Sequence, residues 1–587
     1  MLRTHTNGEL TTAHLDKTVR LSGWVASSRD HGGVTFVDLR DRWGMTQVVF
    51  SPAVSAQLHA KSQELRNEFC IGVTGTVKAR PQGTTNSKIP TGQIEVQASE
   101  LVIYSRAKTP PFEIGGDEHL SEEVRLKYRY LDLRRAPMQE AILFRNQVIF
   151  AMRRYLQSQN FVEVETPILT KSTPEGARDY LVPSRVNQGE FFALPQSPQI
   201  FKQILMVSGF DRYFQMAKCF RDEDLRADRQ PEFSQLDLEM SFVTDEDIFA
   251  VFEALLKDVF KSCLNIDLVT PFPRFTYKDV MEKYGSDKPD LRFGLELRDV
   301  SSVFAATELK IFKETLASGG AIVALQVPQP SVTFSRKDFD DLGLFAKEQG
   351  LGGLAYLKVT DAGVDSPLAK FLKPEEIEAL KKALPAASKP GDVVFFAADK
   401  KRKAHNALGQ VRLKLGARLG LIPQGVYHWS WVKDFPLFNW NEDAKRWDSE
   451  HHPFTSPHPD DAAKMGVDNG NIRSLSYDLV LNGNELASGS IRIHDPEMQQ
   501  KVFDIIGLAP EESKLRFGFM LKAFEFGPPP HGGAAIGIDR LLTILLGRES
   551  IRDVIAFPKT QKAVCPMTEA PSPVDFKQLR DLGIKIA

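Results

Sequence analysis

The stretch RYFQMAKCFRDEDLRADRQPEFSQLDLEM, residues 212–240, restricts the fold more than any other part of the chain. Two runs alternate with period two on either side of a charged loop, the pattern of an antiparallel hairpin with a long connection. In the second run Gln235, Asp237 and Glu239 share one face and Leu236, Leu238 and Met240 the other. That division predicts one buried face and one that lines something polar. Arg221 and Glu223 stand at the loop entry, so cationic and acidic groups converge where a polyphosphate with its magnesium could bind. A solvated strand face with surface ion pairs carries the same charge pattern.

A second hairpin is written in SYDLVLNGNELASGSIRIH, where Asn482-Gly483 separates two apolar-alternating strands. The turn sets Val480 opposite Glu485 and so puts Asp478 and Glu485 on one face, a pair of oxygen donors suited to magnesium. Arg492 is out of phase with Glu485 and joins them only through a bulge, for which Gly489 is the natural place. An ordinary hairpin with exposed carboxylates would read the same way. A third cluster, GPPPHGGAAIGIDRLLTILLGRESIRDVIAFPK, spans residues 527–559. Gly532, Gly533, Ala534 and Ala535 would let a flat ligand approach the strand backbone, and Asp539-Arg540 opens an apolar helix with an arginine able to fork onto phosphate oxygens. Tight helix-to-sheet packing also uses small residues. The run lacks the G-K-[ST] ending of a Walker loop, and no G-x-G-x-x-G follows a strand.

At 587 residues and 65.8 kDa the chain has room for about three to four domains. Residues 1–108 read as strands TVRLSGWVASSR, VTFVDLRD, MTQVVF, CIGVTGTVKAR and QIEVQASELVIY, with a helix over Ala56–Glu68, and predict a small closed barrel. Residues 109–140 hold the Pro- and Gly-rich KTPPFEIGG linker and the charged, aromatic EEVRLKYRYLDLRR, followed by an amphipathic helix over Ala141–Leu156. Strand and helix patterns then alternate through 141–290 and again through 419–587. Between them, 291–418 has its own periodicity, with GGLAYLKV and GDVVFFAAD as strands and PEEIEALKKAL as a helix, and reads as an inserted domain.

Composition bounds the partners. A hydrophobic share of 42% excludes wholesale disorder. A formal net charge of -2 offers no global attraction for nucleic acid or anionic lipid. The charge is uneven, however: residues 1–110 carry 13 Lys plus Arg against 9 Asp plus Glu, a net +4 that leaves -6 for the rest. Cys70, Cys219, Cys263 and Cys565 form no C-x-x-C pair, so neither a zinc site nor a disulfide framework is expected and a reducing compartment fits best. With no signal-like start and no long apolar stretch, a cytoplasmic protein without a membrane partner is expected.

Together these residues resemble the class II aminoacyl-tRNA synthetases and, over essentially the whole chain, their bacterial aspartyl type. FVEVETPILTKSTPEGARDY, with Pro167, resembles motif 1 of that class, FRDEDLRADRQPEF motif 2 and GIDR motif 3. The resemblance implies an α+β multidomain chain: an N-terminal OB-fold β-barrel, a class II antiparallel-sheet catalytic domain, an inserted α+β domain, and a homodimer formed through motif 1. It implies ATP held by Arg221, Asp222, Glu223, Gln230, Glu485, Gly537, Ile538, Asp539 and Arg540. Aspartate would be held by Glu175, Gln199, Ile200, Phe201, Lys202, Arg221, Asp237, His451 and Arg492. Asp478 and Glu485 would be the ligands of Mg2+, and Arg221 and Arg540 the catalytic cations. The implied reaction is activation of L-aspartate with ATP and transfer to the 3' end of tRNA-Asp.

Such a reaction needs two anions positioned together and the phosphoryl charge neutralised, but no nucleophilic side chain, in keeping with the lack of a Ser/His/Asp or Cys/His constellation. Aspartate and asparagine are isosteric, so charge must choose, through Arg492 and Lys202. Adjacent His451 and His452 read as a metal pair or a loop pair; the resemblance gives His451 a substrate-side role. On the barrel, Arg29, Phe36, Gln47 and Glu95 are the implied anticodon readers, although Phe36 could equally be core. Aspartyl enzymes restricted to tRNA-Asp tend to carry Leu where this chain has His31 and Lys where it has Gly83, which places the chain with the relaxed subgroup that also charges tRNA-Asn. The alternatives are a strictly tRNA-Asp enzyme, a paralogue that activates asparagine or lysine or makes asparagine without tRNA, and a non-catalytic RNA-binding protein.

Overall fold

Strand patterning in the first hundred residues closes on itself. In the computed structural model, which describes residues 2–116, 119–173, 177–328, 334–361, 363–384 and 389–586, β1 (Thr18–His31), β2 (Val34–Arg40), β3 (Met45–Phe50), β4 (Cys70–Ala79) and β5 (Ile94–Ser105) form a closed barrel in the order β1-β2-β3-β5-β4. Alternate residues point inward, so Val19, Leu21, Val37, Leu39, Val48, Ile71, Val73 and Val96 make one apolar core. Closure leaves no free strand edge. The predicted helix is shorter than expected, Ala56–Ser62, capped by Ser55. Beyond it the chain turns through Glu68, in a left-handed conformation with φ 64° and bonded to Arg40 and Arg134.

The barrel belongs to a unit made of Met1–Asn146, Leu225–Gln230 and Leu546–Val574. Chain order suggested that everything after residue 419 belongs to the catalytic domain. Arg129 explains the difference. Its buried guanidinium donates to the carbonyls of Arg552, Ile555 and Ala556 at 2.8–2.9 Å and is ion-paired with Asp132. Three orphan carbonyls and a charged donor are satisfied together, which ties the 546–574 stretch to the residues after the barrel. The region 109–140 is therefore more than a spacer.

The second unit comprises Gln147–Asp224, Pro231–Leu545 and Asp575–Ala587. Its eight-stranded sheet is built from β6 (Val162–Glu163), β7 (Arg212–Phe220), β8 (Glu232–Ser241), β9 (Arg274–Thr276), β10 (Trp429–Lys433), β11 (Ser476–Leu481), β12 (Asn484–Ile491) and β13 (His531–Gly537). The order is β9-β10-β11-β12-β13-β8-β7-β6, antiparallel except for the two outermost pairs. Helix Asp245–Leu264 covers one face, with Phe249 stacked on Trp431 at 4.1 Å and edge-on to Tyr477 at 5.0 Å. Residues 291–418 add a five-stranded antiparallel sheet with an apolar cluster on each side, one built on Val323, Leu325 and Phe395, the other on Ile322, Ala324 and Phe396. Helix Lys401–Arg418 lies against the first. No helix among the described residues is long and apolar enough to cross a membrane.

Candidate active site

The face of the eight-stranded sheet opposite helix Asp245–Leu264 collects the polar side chains. Directly opposed residues in an antiparallel ladder share a face, and the register opposes Asp237 to Ala535, Glu239 to Gly533, Ser490 to Gly533 and Asp478 to Ser488. Val480 opposes Glu485, as the Asn-Gly turn predicted. Asp478 and Glu485 thus lie on the face that carries Asp237 and Glu239. A bulge brings Arg492 into phase, but it sits at Leu486, between the pairs Leu479–Ala487 and Val480–Glu485, and not at Gly489. Gly489 stays in regular register because its missing side chain serves close packing: a Cβ there would lie 2.2 Å from Gly533 O and 2.5 Å from Ala534 Cβ.

This polar face is not open to water at its centre. From Leu236 onward every residue of β8 is buried, on both faces. Lys202, from helix Gln199–Val207, places Nζ 3.0 Å from Asp237 Oδ1 and 3.2 Å from Glu239 Oε2. Arg492 donates Nε to Glu239 Oε1 at 2.9 Å and Nη2 to Glu239 Oε2 at 3.2 Å. Two cations and two carboxylates therefore neutralise one another away from solvent, the condition under which buried charge is tolerated. Burial raises the Asp237 carboxyl to about 6, against the opposing pull of Lys202. At Glu239 burial acts in the same direction, but Arg492 and then Lys202 override it and hold the carboxyl at about 2. Burial, then the Asp237 charge, pushes the neighbouring Cys219 thiol up to about 12, so it is no nucleophile at neutral pH.

A second, more open cluster lies on the same face. The charge of Asp478, then burial, raises the Glu485 carboxyl, while Arg540, Lys288 and His451 act to lower it. Asp478 Oδ1 is buried without a hydrogen-bond donor, and His451 Nε2 stands 3.5 Å from it. Burial alone would lower the His451 imidazole, but Asp478 reverses the effect and the net shift is upward. A carboxyl raised by its neighbour's charge, beside a second carboxylate with an orphaned oxygen, fits a divalent cation that takes its remaining ligands from phosphate and water. Among the described residues no group of three or more His, Cys, Asp or Glu forms a complete metal centre. Arg540, at the start of helix Ile538–Leu545, donates to the Glu485 carbonyl, and the Arg221 guanidinium lies 5.0 Å over the Phe233 ring. Asp539 accepts from Ser234 N at 2.8 Å and fixes the helix start against β8.

Other predicted residues take different places. Ile200 packs into an apolar cluster with Phe454, Phe503 and Phe517. Phe201 lies beside Phe519, their ring centroids 6.4 Å apart. On helical spacing both point away from Lys202, which leaves the buried, unpartnered Nε2 of Gln199 as the other polar group of that segment. Asp222 is ion-paired with Arg178 at 3.5 Å. Gln230 belongs to the barrel-containing unit, where its Nε2 donates to Lys559 O at 3.0 Å and its Oε1 accepts from Lys559 N at 2.7 Å. Glu175 lies outside the described residues. Gly533 offers no ligand slot: a Cβ there would lie 2.1 Å from Leu238 O and 2.2 Å from Glu239 Oε2, so the Glu239 carboxylate fills the space. At Gly537 nothing lies closer to such a Cβ than Arg540 Cβ at 3.7 Å.

Glu239, His452, Ser490 and His531 were not predicted as site residues. Burial, then the positive Arg492, holds the His452 imidazole well below its ordinary range, and burial lowers His531, whose Nε2 is 3.2 Å from Gln203 Oε1. The alternation of β8 already put Glu239 beside Asp237; a second carboxylate two residues along the same face was the available signal.

On the barrel the predicted residues share the outward face of its strands, where Gln47 is buried beneath its neighbours. Phe36 is half-buried on the outward face of β2, opposite Arg29, and is not core. Arg29 donates to Asp38 at 2.8 Å and to Gln47 Oε1 at 3.1 Å, and Gln47 Nε2 donates to Glu95 at 2.9 Å. Burial, opposed by Gln47 and Arg80, raises the Glu95 carboxyl. His31 is exposed at the end of β1, and Gly83 adopts φ 83° with open space around it.

Residues 121–561 match the family described as tRNA synthetases class II (D, K and N), and residues 19–104 match the OB-fold nucleic acid binding domain. The chain is 51% identical over 586 residues, all of both chains, to the Aspartate--tRNA(Asp/Asn) ligase of Syntrophomonas wolfei subsp. wolfei. It is 51% identical over 587 residues to the protein of the same name from Desulfatibacillum aliphaticivorans, covering 100% of this chain and 98% of the relative. Against the Aspartate--tRNA ligase of Bacillus licheniformis the identity is 50%, with 100% and 98% covered. Among solved structures, the asparaginyl-tRNA synthetase from Pyrococcus horikoshii complexed with asparaginyl-adenylate shares the fold at TM-score 0.59 and 19% identity, with 94% of this chain and 97% of that one covered. The aspartyl tRNA synthetase from Entamoeba histolytica does so at TM-score 0.55 and 21% identity, covering 94% and 90%. With its antiparallel sheet, its OB barrel and a family match across most of its length, the chain belongs to the class II tRNA synthetases of the D, K and N group.

Proposed function

We propose that this chain is an aspartate–tRNA ligase that activates L-aspartate with ATP and charges both tRNA-Asp and tRNA-Asn. The carrying observation is the buried Arg492, held with Lys202 against Asp237 and Glu239 on the sheet face. A guanidinium fixed in that way favours a carboxylate over its isosteric amide, because it can only donate, and a carboxylate offers it charged acceptors on both branches where an amide turns one branch into a donor. The names of the relatives from Syntrophomonas and Desulfatibacillum support the dual tRNA specificity.

In this reading an α-carboxylate oxygen of aspartate forms a bond to the α-phosphorus of ATP as the bond to pyrophosphate breaks. Arg221 and Arg540 bind the phosphates and stabilise the negative charge that develops there. Asp478 and Glu485 would hold Mg2+, which supplies further charge neutralisation on the phosphate oxygens. The terminal ribose hydroxyl of tRNA then displaces AMP. The outward Arg29, Phe36 and Glu95 of the barrel present a stacking ring and polar groups to anticodon bases, with the buried Gln47 bridging Arg29 and Glu95. Phe150, 61% exposed on helix Ala136–Ser158, and Ile168 and Leu169, both about half exposed, are apolar side chains that a homodimer formed through motif 1 would cover. ATP–pyrophosphate exchange driven by aspartate and not by asparagine tests the activation step; no exchange with aspartate refutes it. Charging of transcripts bearing the Asp and the Asn anticodon tests the dual specificity, which a strict preference for tRNA-Asp would overturn.

A further inference from the structure

Arginine has five N–H groups, and Arg492 has every one of them engaged by the protein. Nε donates to Glu239 Oε1 at 2.9 Å; Nη2 donates to Glu239 Oε2 and to Gly533 O, each at 3.2 Å. Nη1 is 2.6 Å from Ser490 Oγ and 2.6 Å from His452 Nε2. The residue is 2% exposed, so its acceptors come from the protein and not from bulk water. A carboxylate that is to reach Arg492 must therefore replace an acceptor already in place.

The candidates are unequal. Glu239 is a fully buried anion bonded through both oxygens. Gly533 O belongs to the backbone of β13, between β12 and β8. Ser490 is fixed on β12, and its hydroxyl also lies 3.3 Å from Thr455 Oγ1. His452 is held less well. Its Nδ1 lies 3.2 Å from the Phe454 backbone N–H, while its Nε2 faces Arg492. A neutral imidazole carries one N–H and one lone pair, so it cannot accept at both nitrogens. Accepting from Arg492 puts the ring proton on Nδ1, where it opposes the Phe454 N–H and has only Thr455 Oγ1, 3.5 Å away, as an acceptor. The bond to Arg492 is made at the expense of another.

We propose that His452 is a positioning residue that occupies Arg492 Nη1 in the free enzyme and gives that donor up to the side-chain carboxylate of bound aspartate. The inference rests on the aspartate reading above. The imidazole keeps the guanidinium fully bonded and aimed while the site is empty, and its release relieves the conflict at Nδ1 and Phe454 N. Its displacement is a constant cost that every ligand of Arg492 must meet, so it sets affinity for the amino acid and leaves the choice between acid and amide to the charge of Arg492.

The test is His452→Phe, which keeps a planar ring and removes the acceptor. Expected is an aspartate KM in ATP–pyrophosphate exchange lowered about three- to tenfold, the worth of one hydrogen bond, with kcat and the ATP KM within about twofold of the parent. A raised aspartate KM overturns the proposal, since a ring needed in the bound complex would give that sign. An independent readout uses the unsubstituted full chain with 15N-labelled histidine, the His452 ring signals being assigned by their loss in His452→Gln. Saturating aspartate is expected to move the Nε2 resonance, and an unmoved resonance overturns the placeholder role even if the Phe variant does not fold. Loss of aspartate-driven exchange in the parent protein would instead sink the aspartate reading itself, so the two failures are distinguishable.

Discussion

Glu239 grips Arg492 through both carboxylate oxygens, at 2.9 and 3.2 Å, in a place where neither side chain meets solvent. Glu239→Gln keeps the shape and removes the charge. Breaking a buried ion pair from one side costs about 3–5 kcal/mol, because the remaining charge is left uncompensated. The variant should unfold at lower denaturant and lose most of its aspartate-driven exchange. Unchanged exchange would mean that Arg492 does not depend on Glu239.

Asp237 should leave a signature in pH. Its carboxyl, raised from 3.8 to about 6 by burial, binds its proton more tightly in the folded chain than in the unfolded one. Its contribution therefore favours folding below the unfolded value and is lost as pH rises through about 6. Glu239, lowered to about 2, behaves in the opposite sense: its contribution is present above 4.5 and lost only as pH falls through about 2. Asp237→Asn, which leaves Lys202 paired with Glu239, should gain stability relative to the parent between pH ~4 and ~6. Urea midpoints across that interval check it, and parallel curves for the two proteins would exclude it.

Gly533→Ala brings a Cβ within 2.1 Å of Leu238 O and 2.2 Å of Glu239 Oε2. Backbone on one side and an ion-paired carboxylate on the other cannot both yield. We expect a cost of about 3 kcal/mol or more and loss of activity. A variant with parental stability would show that β13 can move away from β8.

Phe36→Ala tests the barrel apart from the chemistry. The ring is on the outer surface, so its removal should spare the core and leave exchange unchanged. If a base stacks there, the tRNA KM in charging should rise by about five- to a hundredfold, the range for one stacked base. A tRNA KM equal to the parent's would remove Phe36 from the interface.

Asp478→Asn removes the main charge that raises Glu485. Glu485 should then ionise at lower pH, while the Mg2+ concentration needed for half-maximal exchange rises at least about tenfold. An unaltered Mg2+ requirement would take Asp478 out of the ligand set.

Much of this was legible in the residues themselves. Period-two runs punctuated by Gly, Pro, Asn and Asp give the barrel strands almost to the residue, because a closed small barrel leaves every strand with one apolar and one outward face. Asn482-Gly483 fixes Val480 opposite Glu485, since a two-residue turn determines register. What was hidden depends on partners far along the chain. Arg129 reads as one more charge in EEVRLKYRYLDLRR until its contacts with Arg552, Ile555 and Ala556 are seen. Glu239 sits on the polar side of an alternating strand, and nothing local says that this side is buried as deeply as the other. His452 was recognised as half of a pair, but its partner is Arg492, forty positions away.

The bulge at Leu486 turns a count of residues into chemistry. Facing on a strand is assigned by parity, so the odd interval between Glu485 and Arg492 works only because Leu486 is supernumerary. Deleting Leu486 without rebuilding the hairpin would send the guanidinium toward the aromatic side of the sheet, where Phe249, Trp431 and Tyr477 pack, and would separate it from Glu239. This strand is therefore closed to change in length, the reverse of a surface loop. Any lineage that descends from this chain and keeps its amino acid must inherit the spacing intact, whatever else it rewrites.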